Sequence, residues 1–143
     1  MDIDKSVARI IAAYAEAVHA KDAAALIKLY DPKVRVFDAW GLWSYEGADA
    51  WQAALEAWFS SLGSERVKVS FDGLNVSEGR DSALVSAFAC YAAVSADGKP
   101  LRTMHHRLSW ALRTSGHVLR IVHEHSSAPI GFEDHKAILQ RKP

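Results

Sequence analysis

The chain has 143 residues, 17 basic and 17 acidic side chains, and half of its residues are hydrophobic. This fits one soluble domain, 1–143, able to bury roughly two-thirds of its unfolded surface without a disulfide or a metal. Zero net charge without a polybasic run argues against nucleic acid and a membrane surface as partners. The single cysteine, Cys90, excludes an intrachain disulfide. No apolar run reaches the length of a membrane span, and the acidic start MDIDKSVARI is unlike a secretory signal, so a cytoplasmic location is expected.

Residues 4 to 20 place Val7, Ile10, Ile11, Tyr14 and Val18 at helical spacing, with Asp2 and Asp4 at the positive end of the predicted helix. Tyr14 falls on the apolar stripe, where its hydroxyl needs a partner or a cavity. Asp22 suits the N-cap of a second helix, carried by Leu26, Ile27, Leu29 and Tyr30 and ended by Asp31-Pro32. Residues 33 to 40 alternate, with Val34, Val36, Asp38 and Trp40 on one face. Asp38 is therefore expected to point inward, where a carboxylate is costly unless hydrogen-bonded or used. Gly41 turns the chain into a short return strand, Leu42 to Tyr45. A third helix is expected over 47 to 62, with Trp51, Leu55, Trp58, Phe59 and Leu62 on one stripe and Gly63 closing it.

The remainder reads as strands: 66 to 76 with a bend at Gly73, 82 to 96, 101 to 113 after the Asp97-Gly98 hairpin signal, and 118 to 127 after Ser115-Gly116. The last ten residues read as either a short helix or an extended tail. The order α-α-β-β-α-β-β-β-β gives an α+β class. Long strands with short turns form a curved antiparallel sheet, and the three helices of the N-terminal half cover one face. A small-molecule pocket is expected where sheet and helices part.

Four polar sets are candidates for chemistry. Tyr14 and Asp38 read either as an oxyanion donor and a proton-moving carboxylate, or as a satisfied core phenol and a turn cap. Strand parity puts His106, rather than His105, on the inner face with Leu108, Trp110 and Leu112. It is a pocket residue or a satisfied core histidine. In His123-Glu124-His125, parity puts both histidines with Ile121 and Ser127 and sends Glu124 to the other face with Val122 and Arg120. One of these histidines reaches the pocket, or ties strand to strand. A metal on His123, His125, His106 and Asp38 lacks a supporting cysteine or second acidic cluster, so none is expected. No nucleophile elbow, phosphate loop or dinucleotide fingerprint is present.

The segment YAEAVHAKDAAALIKLYDPKVRVFDAWG, the EG before the third helix and the ending LRIVHEHSSAP resemble the nuclear transport factor 2-like superfamily, which includes ketosteroid isomerase and the SnoaL-like polyketide cyclases. The resemblance spans about residues 4 to 130. It implies a cone-shaped α+β fold and a homodimer through the sheet, with Ala87, Ala89, Tyr91 and Ala93 as a flat packing face. It also implies Asp38 as the proton-shuttling base and Tyr14 as an oxyanion-hole donor. Where ketosteroid isomerase has a second, protonated Asp, this chain reads TMHHRLSW and offers a histidine. The expected function is therefore proton transfer (isomerisation, cyclisation or dehydration) on a small apolar carbonyl compound, without a cofactor. Asp38, Tyr14 and His106 would be catalytic, and His123, Trp40, Trp58 and Trp110 would shape the ligand site. The alternative is a non-catalytic ligand-binding or self-assembly module of the same fold.

Overall fold

Helix α1 (Ile3–Ala20) starts where the Asp2 carboxylate accepts the Lys5 backbone N–H at 3.1 Å. The structure is a computed structural model and describes residues 1–142. Val7, Ile10, Tyr14 and Val18 of α1 are buried, each apolar side chain contributing roughly 1.5–3 kcal/mol. Lys21 turns the chain in a left-handed conformation, and Asp22 caps the short helix α2 (Ala23–Ile27) through Ala25 N–H at 2.9 Å.

α2 ends earlier than the sequence pattern suggests. Tyr30 instead opens β1 (Tyr30–Phe37), pairing with Ile121, and Pro32 keeps Asp31 out of the helical region. β1 also stops at Phe37, so Asp38 sits just past the strand end. The return strand β2 is only Tyr45–Glu46, and helix α3 (Ala48–Ser61) follows. Four long strands complete the sheet: β3 (Arg66–Glu78), β4 (Ser82–Val94), β5 (Pro100–Ser115) and β6 (Val118–Ser127).

The sheet order is β2-β1-β6-β5-β4-β3. All neighbours are antiparallel except β1 and β6, which run parallel, with helix α3 and four strands between them in the chain. The sheet curves without closing, and α1 packs over β3 while α3 packs over β1 and β2. The α+β class expected from the element order and the cone implied by the resemblance are thus present, in a sheet that is mixed rather than wholly antiparallel. Gly73 makes the expected bulge in β3 at φ +62°, and a Cβ there would sit 2.9 Å from the Phe88 ring.

The C-terminal segment is an extended tail rather than a helix. Ile130 bridges Ala137, and Leu139 accepts the His105 backbone N–H at 2.8 Å. The tail thereby covers the part of the β5 edge that β6 does not reach. Among the described residues no helix is long and apolar enough to cross a membrane.

Candidate active site

The inner face of the cone encloses a cavity of about 440 Å³, a size suited to a small organic ligand. Tyr14 enters it from α1; Trp51 and Trp58 enter from α3; Asp38 and Trp40 come from the end of β1; Tyr91 and His106 come from β4 and β5. Strand parity correctly separated His106 from its neighbour. His106 is 5 % exposed and lines the cavity, whereas His105 lies on the outer face and accepts the Arg141 backbone N–H.

Asp38 is held at the cavity wall by Ser126, whose hydroxyl donates to Oδ1 at 3.0 Å while accepting the Ala39 N–H at 3.2 Å. Burial raises the Asp38 pKa; the Ser126 hydroxyl, the His106 ring and nearby backbone N–H groups oppose that rise. Burial lowers the His106 pKa, against a smaller opposing pull from Asp38, so a neutral imidazole is favoured. Neither ring nitrogen of His106 has a partner among the described residues, and the same holds for Trp51 Nε1. Buried polar atoms normally find partners; these three belong to two residues that line the cavity.

Tyr14 and Tyr91 share a hydrogen bond at 3.0 Å between their hydroxyls. One phenol donates to the other, leaving one O–H for the cavity that both line. Burial pushes both phenols above their ordinary range, with each other and Glu124 adding to the effect on Tyr14. Trp40 is half-exposed and tilts over His106 with ring centroids 6.2 Å apart; Trp58 meets Tyr91 at 6.2 Å.

Two expected ligand contacts are not there. His123 does not line the cavity; its Nδ1–H donates to Arg35 O at 2.7 Å, tying β6 to β1. The cause is a bulge: Ile121 pairs with Leu112 but His123 pairs with Ala111, so Val122 is an extra residue. Beyond it the parity reverses. His123 and His125 turn outward against Phe37, and Glu124 and Ser126 turn inward. This also divides the metal-ligand set considered above, since His106 and the His123/His125 pair lie on opposite faces. Trp110 faces inward as expected but lies beneath the cavity wall, 1 % exposed, packed on Tyr14 and Phe71.

The residue that sequence parity missed is Glu124. It is 2 % exposed and lines the cavity. Tyr30 Oη donates to its Oε1 at 2.6 Å, and Trp110 Nε1 donates to the same oxygen at 2.8 Å. Burial pushes its carboxyl up to about 7, outweighing both hydrogen bonds, with the Asp38 charge adding to the rise. Tyr91, with Ala87, Ala89 and Ala93, also belongs to the inner face rather than to an outer packing face, because Ala89 pairs with His106 and Tyr91 with Met104. The wall therefore carries two carboxyls in different surroundings, a neutral imidazole and a phenol pair. Among the described residues no lysine or arginine lines it.

A comparison with curated proteins found no match. Among solved structures, the chain is similar to an NTF2-like (nuclear transport factor 2-like) protein of unknown function from Pseudomonas putida: 24% identity, TM-score 0.83, covering 100% of this chain and 99% of that one. It is also similar to ActVI-ORFA from Streptomyces coelicolor, with 15% identity, TM-score 0.78 and coverage of 89% and 97%. Aln2 from another Streptomyces gives 17% identity, TM-score 0.78 and coverage of 88% and 90%. At these identities the likenesses establish the shared fold. A family model described as the SnoaL-like domain matches residues 7–131. With the cone, its inner cavity and this match over most of its length, the chain belongs to the SnoaL-like domain family.

Proposed function

We propose that the protein is an enzyme that moves a proton on a small, neutral, largely apolar carbonyl compound. The observation that carries this reading is the convergence of Asp38, His106 and the Tyr14–Tyr91 pair on one aromatic cavity that no lysine or arginine of the described residues lines. A carboxylate such as Asp38 takes the proton from carbon α to a carbonyl. The free phenol O–H and the His106 N–H stabilise the charge that develops on oxygen. Trp40 and Trp58 supply apolar walls. A ligand bearing a carboxylate or phosphate finds no positive partner there and meets the Asp38 charge instead. A module that only self-assembles needs no cavity between Tyr14 and Asp38, so the open cavity argues against that form of the alternative.

The same reading takes the protein as a cytoplasmic homodimer joined through the outer sheet face, where Leu84 is exposed. The test of function is isomerisation of 3-cyclohexen-1-one to the conjugated enone, followed by ultraviolet absorbance. The wild type is expected to accelerate it and Asp38→Asn to lose most of that acceleration, roughly 10²–10⁴-fold. Equal rates for the two folded proteins would refute the assignment.

A further inference from the structure

We propose that Glu124 is a second acid of the cavity, a neutral carboxyl that gives its proton to an oxygen of the bound ligand. This deepens the function proposed above and rests on it for the reacting partner. The geometry carries it. Tyr30 O–H and Trp110 N–H both donate to Oε1, which occupies both lone pairs of that oxygen. A proton on this carboxyl therefore sits on Oε2, since both donors bond to Oε1. Oε2 is the oxygen left to the cavity that Glu124 lines. Tyr30 and Trp110 are thus positioning residues, fixing which oxygen donates and in what direction.

The titratable groups around Glu124 are Tyr30 and Asp38 from β1 and its end, Tyr14 from α1, Tyr91 from β4 and His106 from β5. None is a lysine or arginine, so no fixed positive charge favours a carboxylate at Glu124. Asp38 is less buried and is stabilised by the Ser126 hydroxyl. The two carboxyls are thereby divided into a base and an acid on one wall of the cavity.

The step balances. The Asp38 carboxylate takes the α-proton, and the C–H electron pair becomes the new C=C bond. The carbonyl π pair moves to oxygen, which receives the Glu124 Oε2 proton and leaves Glu124 as a carboxylate. In the second half the enol returns its O–H proton to Glu124, and Asp38 delivers its proton to carbon.

The test has two arms. Infrared difference spectra of the ligand-free protein are expected to show a buried protonated carboxyl that is lost with a midpoint near 7. Glu124→Gln should abolish this signal, and Tyr30→Phe should move the midpoint up by removing a donor. In the second arm the probe is 2-cyclohexen-1-one labelled with carbon-13 at its carbonyl. Its bound C=O stretch should fall in frequency below the midpoint and recover above it; with Glu124→Gln, whose amide donates at every pH, the shift should not depend on pH. A Glu124 that is already ionised in mild acid overturns the proposal. So does a probe shift indifferent to its ionisation, or failure of the probe to bind while Glu124 is protonated. If Glu124 titrates and shifts the probe but Asp38-dependent isomerisation is absent, the proposed function falls and the acid assignment stands.

Discussion

Replacing Glu124 by Gln changes how stability depends on pH, and the size of the change follows from the site. The Gln amide oxygen can still accept from Tyr30 and Trp110, so shape and donors are kept. What is lost is the ionisation. In the unfolded chain this carboxyl releases its proton near an ordinary 4.5; in the folded protein it holds it to about 7. Between these values the folded state binds more protons than the unfolded one, so raising the pH destabilises the fold. The contribution is fully present below about 4.5 and is lost as pH rises through about 7. The displacement is worth about 3 kcal/mol at ~1.4 kcal/mol per pH unit. His106 works the other way: its folded pKa is depressed, so its contribution is present above the ordinary 6.5 and is lost on acidification. Comparing wild type with Glu124→Gln subtracts the histidine. Urea unfolding followed by tryptophan fluorescence should therefore show the variant gaining about 2–3 kcal/mol on the wild type between about pH 5 and pH 8. At typical urea slopes that is a relative midpoint shift of about 1–2 M. Parallel pH profiles for the two proteins would refute the reasoning, because they would mean Glu124 is not held neutral by the fold.

Other substitutions test other parts of the structure. Trp110→Phe removes one of the two donors to Glu124 Oε1 and should cost about 1–3 kcal/mol by urea unfolding while raising the Glu124 midpoint. Tyr91→Phe leaves Tyr14 without its hydroxyl partner and should lower turnover more than stability, the latter by about 1 kcal/mol. Gly73→Ala forces a positive φ on a side chain that meets the Phe88 ring, and should destabilise by about 1–3 kcal/mol in thermal melts. His123→Ala loses the tie to Arg35 O and the contact with the Phe37 ring; a stability loss of about 1 kcal/mol with unaltered turnover is expected, and a collapse of turnover would return His123 to the site.

Local periodicity made much of this site legible. The helical stripe that carries Tyr14 and the alternation that carries Asp38 and His106 each led to the cavity. Parity failed at β6 because it assumes an unbroken count. Leu119 and Ile121 point inward, but the extra residue at Val122 resets the alternation, and no glycine or proline in IVHEHSS announces it. The error exchanged two histidines for a glutamate and a serine. Along β4 the grouping of Ala87, Ala89, Tyr91 and Ala93 was sound, but which face they share depends on pairing with His106 across the sheet. Alanines and a tyrosine carry too little contrast to decide that locally. Trp110 shows a further limit. Inward direction was readable, yet depth was not, since that depends on Tyr14 and Phe71 filling the space between it and the helices.

The most direct test of the account is hydrogen exchange at carbon α of a neutral cyclic ketone in deuterium oxide, measured by proton NMR. It requires only that the cavity bind the ketone and that Asp38 remove a proton, whatever the natural substrate. The account predicts exchange above the buffer rate with the wild type, reduced roughly 10²–10⁴-fold in Asp38→Asn with the fold retained. Exchange at the same rate in both proteins, or no exchange with the ketone bound in the cavity, would contradict it.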